Sequence, residues 1–305
     1  MDLIGGGLTP LEGGHSGETF LAEAAGERSV VRIYAVRSAP RGDKAAEVDA
    51  AVLRLVRGLL PVPQVLEVRR ADEAAGTPAL LVTSYLPGTR LDLLPPEAAA
   101  DLRVAIGRNL GLVLSRLSQM PMLRGGMFVD GDLTIGDWPP GADDLVEWVK
   151  ANLDGTPLGE WPTADREGLF AVAEMAQTLL DTVDRACLVH SDFNAKNILV
   201  DPTTGSVTGL LDWEFAHAGS PFTDLGNLLR FDRRPDLADA VLRTYGEGVP
   251  DAPSDLGELL ARARAADLFA LVELASRRDE NPVTRKAHEL LSAMARTGDL
   301  HAEPA

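Results

Sequence analysis

Apolar positions alternate with polar ones early in the chain and later recur at helical spacing. Ser29 to Tyr34 (S-V-V-R-I-Y) is alternating and rich in branched residues, which predicts a strand. Ala79 to Pro87 (A-L-L-V-T-S-Y-L-P) predicts another. Leu11 to Ala24 predicts a hairpin around Gly13, Gly14 and Gly17, where glycine lets a backbone come close to a ligand. Between these strands, Glu47 to Leu60 predicts an amphipathic helix with Val48, Val52, Leu55, Val56 and Leu59 on one face. Pro61 and Pro63 then favour an extended path. The rest is dominated by helical periods: Ala98 to Leu117, Asp144 to Leu153, Arg166 to Val183 and most of 235–298. Gly125 to Pro140, rich in Gly and Pro, breaks that series and predicts a surface loop.

One stretch in the helical part returns to a strand pattern. Leu188-Val189 runs into His190-Ser191-Asp192, and Asn197 follows five residues after Asp192. Ile198-Leu199-Val200 reads as a short strand, and Asp201-Pro-Thr-Thr-Gly205 has turn chemistry. Val207 to Leu211 is a second apolar run and ends at Asp212. A hairpin therefore carries polar groups at its outer ends. Phosphoryl transfer needs such a set: one carboxylate beside the attacking hydroxyl, and hard oxygen ligands for Mg²⁺. Asp192 could take the hydroxyl proton, and Asn197 and Asp212 could hold the ion.

These residues resemble the catalytic and metal-binding segments of the aminoglycoside phosphotransferase family, which includes the capreomycin and viomycin phosphotransferases. The family pattern is H-G-D-x-x-x-x-N followed by a hairpin and a D-W or D-x-E end. This chain has His190-Ser191-Asp192, Asn197 and Asp212-Trp213-Glu214, with Ser191 where the family has Gly, a small departure that leaves the resemblance intact. The resemblance implies an α+β, bilobal protein-kinase-like fold, with a small β-rich N-lobe over 1–87 and a larger helical C-lobe over 88–305. It also implies ATP and Mg²⁺ as cofactors, Asp192 as base, and Asn197 and Asp212 as metal ligands.

The resemblance places further residues. Ser16 and Gly17 fall at the tip of the nucleotide-positioning loop. Arg32 takes the place of the kinase strand lysine that pairs the α- and β-phosphates. Asp49, in D-A-A-V-L-R-L, matches the helix acid that pairs with that cation, with Glu47 as second choice. Thr83 guards the adenine pocket, and the hinge contributes the Ser84 carbonyl and the Leu86 N–H. Asp224, in a segment resembling G-D-P-x-x-D-L-A, braces the catalytic loop; its place at a helix start also suits capping. Glu214, Asp232 and Glu273 are candidates for contacting the acceptor.

Charge narrows the partners. The chain has 305 residues and a net charge of −17, which disfavours nucleic acid. Residues 1–87 hold 11 acidic and 9 basic side chains, and residues 88–305 hold 35 and 20. An acidic acceptor lobe attracts a cationic substrate. The same acidity can equally serve plain solubility. Taken with that charge, the family resemblance implies a small cationic antibiotic as acceptor, an aminoglycoside or a capreomycin/viomycin-type peptide, with a macrolide or small metabolite as alternative. A non-catalytic ATP-binding pseudokinase is the reading of another class. Cys187 alone, in an apolar run, reads as core in a reducing compartment, so a cytoplasmic location is expected. No run of about 18 apolar residues occurs, so no membrane span is expected. A serine hydrolase lacks its G-x-S-x-G elbow here. His217 has no metal partner at a useful spacing, and the D-x-D of Asp130 and Asp132 lacks the remaining ligands of a calcium loop.

Overall fold

The computed structural model describes residues 7–11, 18–24, 26–34, 41–72, 74–95 and 99–304. Its first sheet is built from β1 (Leu8–Pro10), β2 (Glu18–Ala24), β3 (Glu27–Tyr34), β4 (Val65–Arg69) and β5 (Ala79–Ser84). The order is β1-β2-β3-β5-β4, with every pair antiparallel. Arg32 lies opposite Leu81 on β5 and Thr19 on β2, so its strand is central. The predicted loop tip, Ser16 and Gly17, lies outside the described residues.

Helix α1 (Ala45–Val56) connects β3 to β4. It stops four residues earlier than its apolar period suggests. Gly58 adopts φ 85°, a left-handed conformation that a helix cannot continue through, and Pro61 follows. The buried face carries Val48, Asp49, Val52, Leu53 and Val56, whereas Leu55 and Leu59 are exposed. The expected stripe was therefore rotated. Asp49 does point inward, as its position implied, and is only 3% exposed.

After β5 the chain passes Gly88 and enters β6 (Thr89–Arg90), which joins a small sheet with β10 (Ile198–Val200) and β11 (Val207–Leu210) in the order β11-β10-β6. Gly88 has φ 140°, and a Cβ there would lie 2.3 Å from Thr208 Oγ1. Only glycine lets this connection press against the hairpin. A second small sheet takes β7 (Pro121–Met122), β9 (Ala186–Val189), β12 (His217–Gly219) and β8 (Gly126–Met127), in that order.

Helices make up most of what remains. They are α2 (Ala100–Ser118), α3 (Leu145–Ala151), α4 (Thr163–Leu180), α5 (Thr223–Leu229), α6 (Pro235–Gly248), α7 (Leu256–Ser276) and α8 (Pro282–Thr297). Helix α2 buries Ile106, Leu110, Val113, Leu114 and Leu117, the stripe its period predicted. Each such side chain contributes roughly 1.5–3 kcal/mol by leaving water. Helix α8 begins with a capping box: Asn281 accepts from the Val283 and Thr284 N–H groups, and Thr284 Oγ1 accepts from the Asn281 N–H. It ends at Gly298, φ 67°.

One core runs from α1 and β5 through α2 to β10, β11, α5 and α6. A second joins α3, α4, α7 and α8. The hairpin of β10 and β11 lies within the first, where it is held from several sides. Cys187 is buried in β9, and burial, reinforced by the nearby Asp224 charge, pushes its thiol up to about 12. It is a core residue in chemistry as well as in position.

Candidate active site

The segment leaving β9 is shaped by one buried carboxylate. Asp224 Oδ2 accepts the His190 N–H and Oδ1 accepts the Ser191 N–H, each at 2.8 Å. Asp224 lies in the first turn of α5, yet its carboxylate reaches across to these loop amides, and no side chain caps the helix. The bracing role holds and the capping role does not. Burial pushes the Asp224 carboxyl up, against the opposing pull of the His190 and Ser191 backbone N–H groups. Ser191 itself adopts φ 66°. The family's glycine at this position fits a left-handed residue, so serine here carries a strain of about 1–2 kcal/mol.

His190 is buried and organises the loop through its backbone neighbours. Its Nε2 donates to the Leu211 carbonyl at 2.9 Å, and its Nδ1 accepts the Asp192 N–H at 3.2 Å. The two bonds together assign the neutral Nε2–H tautomer. The ring packs between Phe193 and Trp213, at 5.9 and 4.5 Å between centroids. This histidine holds Asp192 and the end of β11 in one register.

Asp192 is framed by two amides. Asn194 Nδ2 donates to Oδ1 at 2.6 Å, and Asn197 Nδ2 donates to Oδ2 at 2.7 Å and to the Asp192 carbonyl at 3.0 Å. The carboxylate is fixed in orientation while remaining part-buried. With its amide nitrogen committed to Asp192, Asn197 turns its Oδ1 away from that carboxylate. Asn194 was not identified from the sequence, although it stands two residues after Asp192 in the same motif.

The hairpin delivers Asp212 to the same end. Ile198 pairs with Leu210, and the Leu211 N–H donates to the Asn197 carbonyl at 2.8 Å. Asp212 follows in the left-handed region, φ 61°. Its Oδ1 accepts from Arg32 Nη1 at 2.7 Å, and Arg32 Nη2 donates to Glu214 Oε2 at 2.5 Å. Burial works against the Arg32 charge, but Asp212, Tyr34, Glu214 and Asp49 together outweigh it and hold its pKa above the usual arginine value.

Asp49 bonds elsewhere. Its Oδ2 accepts from Tyr34 Oη at 2.6 Å and from Arg41 Nη1 at 3.0 Å, and Arg41 Nη2 bonds its other oxygen. The pairing expected between Asp49 and Arg32 is thus replaced. A helix aspartate, one methylene shorter than glutamate, bonds the Arg41 and Tyr34 groups beside it. The longer Glu214 reaches Arg32 from the far side. Arg41 also lies 3.9 Å from Glu214, so one carboxylate stands between two guanidinium groups. Arg41 and Tyr34 were missed because neither belongs to a motif.

The remaining expected residues are placed as follows. Thr83 is buried at the end of β5. The Ser84 N–H donates to the Gln64 carbonyl at 2.8 Å, and its Oγ accepts the Gln64 N–H at 2.9 Å, which fixes the strand end. Leu86 lies beside Gly209 and Leu199 and gives this side an apolar wall. Glu214, expected toward the acceptor, is 6% exposed and bonded to Arg32. Asp232 is held by Arg234 and Glu273 by Arg277, each within its own segment. In the 125–140 loop, Asp130 Oδ1 accepts the Asp132 and Thr134 N–H groups, so the D-x-D serves a turn. Among the described residues, no group of three or more His, Cys, Asp or Glu side chains is placed to hold a metal. His217 packs edge-on to Trp138 at 5.2 Å and bonds the Phe215 carbonyl through Nδ1.

A model of the phosphotransferase enzyme family matches residues 7–265. The chain belongs to that family. Among curated proteins, this phosphotransferase is 26% identical over 223 residues to mouse acyl-CoA dehydrogenase family member 10, covering 72% of this chain and 20% of that protein. It is also 26% identical over 225 residues to Arabidopsis thaliana probable acyl-CoA dehydrogenase IBR3, covering 70% and 26%. The chain therefore spans only a fifth to a quarter of these relatives' length. Among solved structures, the GDP and kanamycin complex of APH(2″)-IIIa superposes with a TM-score of 0.70 at 18% identity, covering 96% of this chain and 94% of that one. A thermostable mutant of aminoglycoside phosphotransferase APH(4)-Ia, in ternary complex with AMP-PNP and hygromycin B, gives 0.66 at 19%, with the same coverage. The phosphotransferase thus has the protein-kinase-like fold of these enzymes, an antiparallel sheet followed by a helical part.

Proposed function

We propose that this phosphotransferase moves the γ-phosphoryl group of ATP onto a hydroxyl of a small molecule, with Asp192 as the base. The observation carrying this reading is the double hold on Leu211. Its N–H is bound to Asn197 and its carbonyl to His190, so base, amide and Asp212 converge at one end of one hairpin. Asp192 accepts the proton as the hydroxyl attacks, and Asn194 and Asn197 keep its oxygens aimed. Asn197 Oδ1 and the Asp212 carboxylate are hard oxygen donors and fit Mg²⁺, whose remaining positions phosphates and water would fill. Bound there, the ion would draw charge from the phosphates. Arg32 faces the same place and steadies phosphate oxygens.

The acidity of residues 88–305 favours a cationic acceptor, an aminoglycoside or a capreomycin/viomycin-type peptide antibiotic, whose phosphorylation would give resistance. The aminoglycosides in the two neighbouring structures agree with this. A hydroxyl-bearing metabolite is the second reading. Two observations favour it: the curated relatives bear acyl-CoA dehydrogenase names, and Asp232 and Glu273 are already neutralised by arginines.

The experiment is ATP consumption with Mg²⁺ over a panel of cationic antibiotics, macrolides, sugars and hydroxy acids, with the product weighed. One added phosphate on a cationic drug supports the first acceptor, and on a neutral or acidic compound the second. Asp192→Asn should keep nucleotide binding and lose turnover; an active variant would remove Asp192 from the base role.

A further inference from the structure

Two carboxylates compete for the role of holding Arg32. One is Asp49 on α1 and the other is Glu214, two residues beyond Asp212. The geometry gives the role to Glu214. Its carboxylate is nearly inaccessible and accepts Arg32 Nη2 at 2.5 Å, while the second arm of the guanidinium lies on Asp212 at 2.7 Å. Asp49 is equally buried, but it receives Tyr34 Oη and both arms of Arg41.

We propose that Glu214 is the positioning residue for Arg32, and that it works when Asp212 is taken up by the metal. This rests on the phosphotransfer reading above. In the chain as described, Arg32 is clamped from both sides. Were Asp212 to turn to a cation, its hold on Arg32 would loosen while the Glu214 bond stays. A less ordered guanidinium would pay more side-chain entropy on meeting phosphate, which would reduce nucleotide affinity. Glu214 keeps it in place. The carboxylate cannot follow Asp212 to the phosphates easily, because Trp213 anchors the stretch between them: its ring is buried and its Nε1 donates to the Leu210 carbonyl at 3.3 Å. The phosphate-facing cation is therefore tied to the metal-binding segment and not to α1. Arg41 adds to the arrangement from the other side, at 3.9 Å from the same carboxylate.

The arrangement assigns different tasks to two acids of similar burial. Asp49 organises α1 and the start of the helix through Tyr34 and Arg41. Glu214 organises the nucleotide side. Their replacements should therefore separate into a stability effect and a binding effect.

The test is a double-mutant cycle read by MgATP dissociation constants, with thermal unfolding as a check on folding. Glu214→Gln is expected to weaken MgATP by about tenfold, yet to change it less than about twofold when Arg32→Gln is already present. Asp49→Asn is expected to leave affinity within about threefold while lowering the unfolding midpoint. Equal, additive losses from Glu214→Gln in both backgrounds would overturn the proposal and make Glu214 a direct ligand of the metal or nucleotide. So would an Asp49→Asn effect on affinity as large as that of Glu214→Gln. If the unaltered protein binds no nucleotide at all, the phosphotransfer reading falls and this proposal falls with it. Binding with additive losses sinks the proposal alone. A Glu214→Gln protein that fails to fold is replaced by Glu214→Asp, which keeps the charge but shortens the reach. It is expected to show a smaller loss of the same kind, and an unchanged affinity in that variant would also overturn the proposal.

Discussion

Ser191 sits in the left-handed region with its N–H bound to Asp224 Oδ1 at 2.8 Å, so a strained residue is held where a buried carboxylate needs it. The same carboxylate takes the His190 N–H at 2.8 Å. Asp224→Asn replaces one acceptor oxygen by an NH₂ group facing an N–H donor. Turnover is expected to fall about a hundredfold, the usual effect of misplacing a catalytic group by an ångström. Stability should drop by about 1–3 kcal/mol. Single-turnover kinetics and urea unfolding measure the two. An unchanged rate would show that the loop keeps its shape without this carboxylate.

Ser191→Gly should act in the opposite direction. Glycine enters the left-handed region without the Cβ penalty, and the Ser191 contact to Asp224 is made by the backbone. A gain of about 1 kcal/mol is expected, with turnover preserved. Denaturant midpoints test it, and a loss of stability would mean that the hydroxyl makes a compensating contact.

Arg230 on the α5 side and Asp267 on α7 form a buried, two-bonded ion pair, with Nε to Oδ2 at 2.8 Å and Nη2 to Oδ1 at 2.6 Å. Removing only the acid leaves a cation without its partner. Asp267→Ala is expected to cost about 3–5 kcal/mol, whereas replacing both residues with apolar ones of similar size should cost far less. Comparing the unfolding free energies of the single and double variants decides it; equal losses would locate the energy outside the pair.

The histidines set a pH dependence. Burial lowers the pKa of both His217 and His288 in the folded chain. Trp161 Nε1 donates to His288 Nε2 at 3.0 Å, and His288 Nδ1 lies 3.1 Å from the Ala275 carbonyl, a pairing that only the neutral ring satisfies. Below a pH of about 6.5 the unfolded chain takes up these protons more readily than the folded one. The stabilisation is thus complete above that value and is lost as pH falls through the lowered folded values. The unfolding temperature should fall between about pH 7.5 and about pH 5.5, and the fall should shrink in His288→Gln. A midpoint independent of pH over that range would contradict the assignment.

Several parts of the site could be read before the structure because they lie on one short segment. Asp192, Asn197 and Asp212 are linked by a hairpin whose register follows from two apolar runs and a Pro-Gly turn. Helix α2 was legible because its period is regular over many residues. The partner of Arg32 was not, because the choice between Asp49 and Glu214 depends on side-chain reach across the fold. Glu214 lies 182 residues away from Arg32 along the chain. Asn194, Arg41 and Tyr34 were hidden for a similar reason: each becomes meaningful only through the carboxylate it meets. The acidic candidates Asp232 and Glu273 looked available as bare charges, but their neighbouring arginines occupy them. The stop of α1 at Val56 could have been anticipated from Gly58 and Pro61, which outweigh two further leucines at the right spacing.

The Leu211 backbone is gripped at both its N–H and its carbonyl, so the Asp192 loop and Asp212 ride on a common rigid block. Their separation is set by main-chain geometry and is insensitive to whichever side chains line the rest of the cleft. A lineage can therefore exchange the surface that greets the acceptor, trying one hydroxyl compound after another, without having to retune the distance over which the chemistry happens.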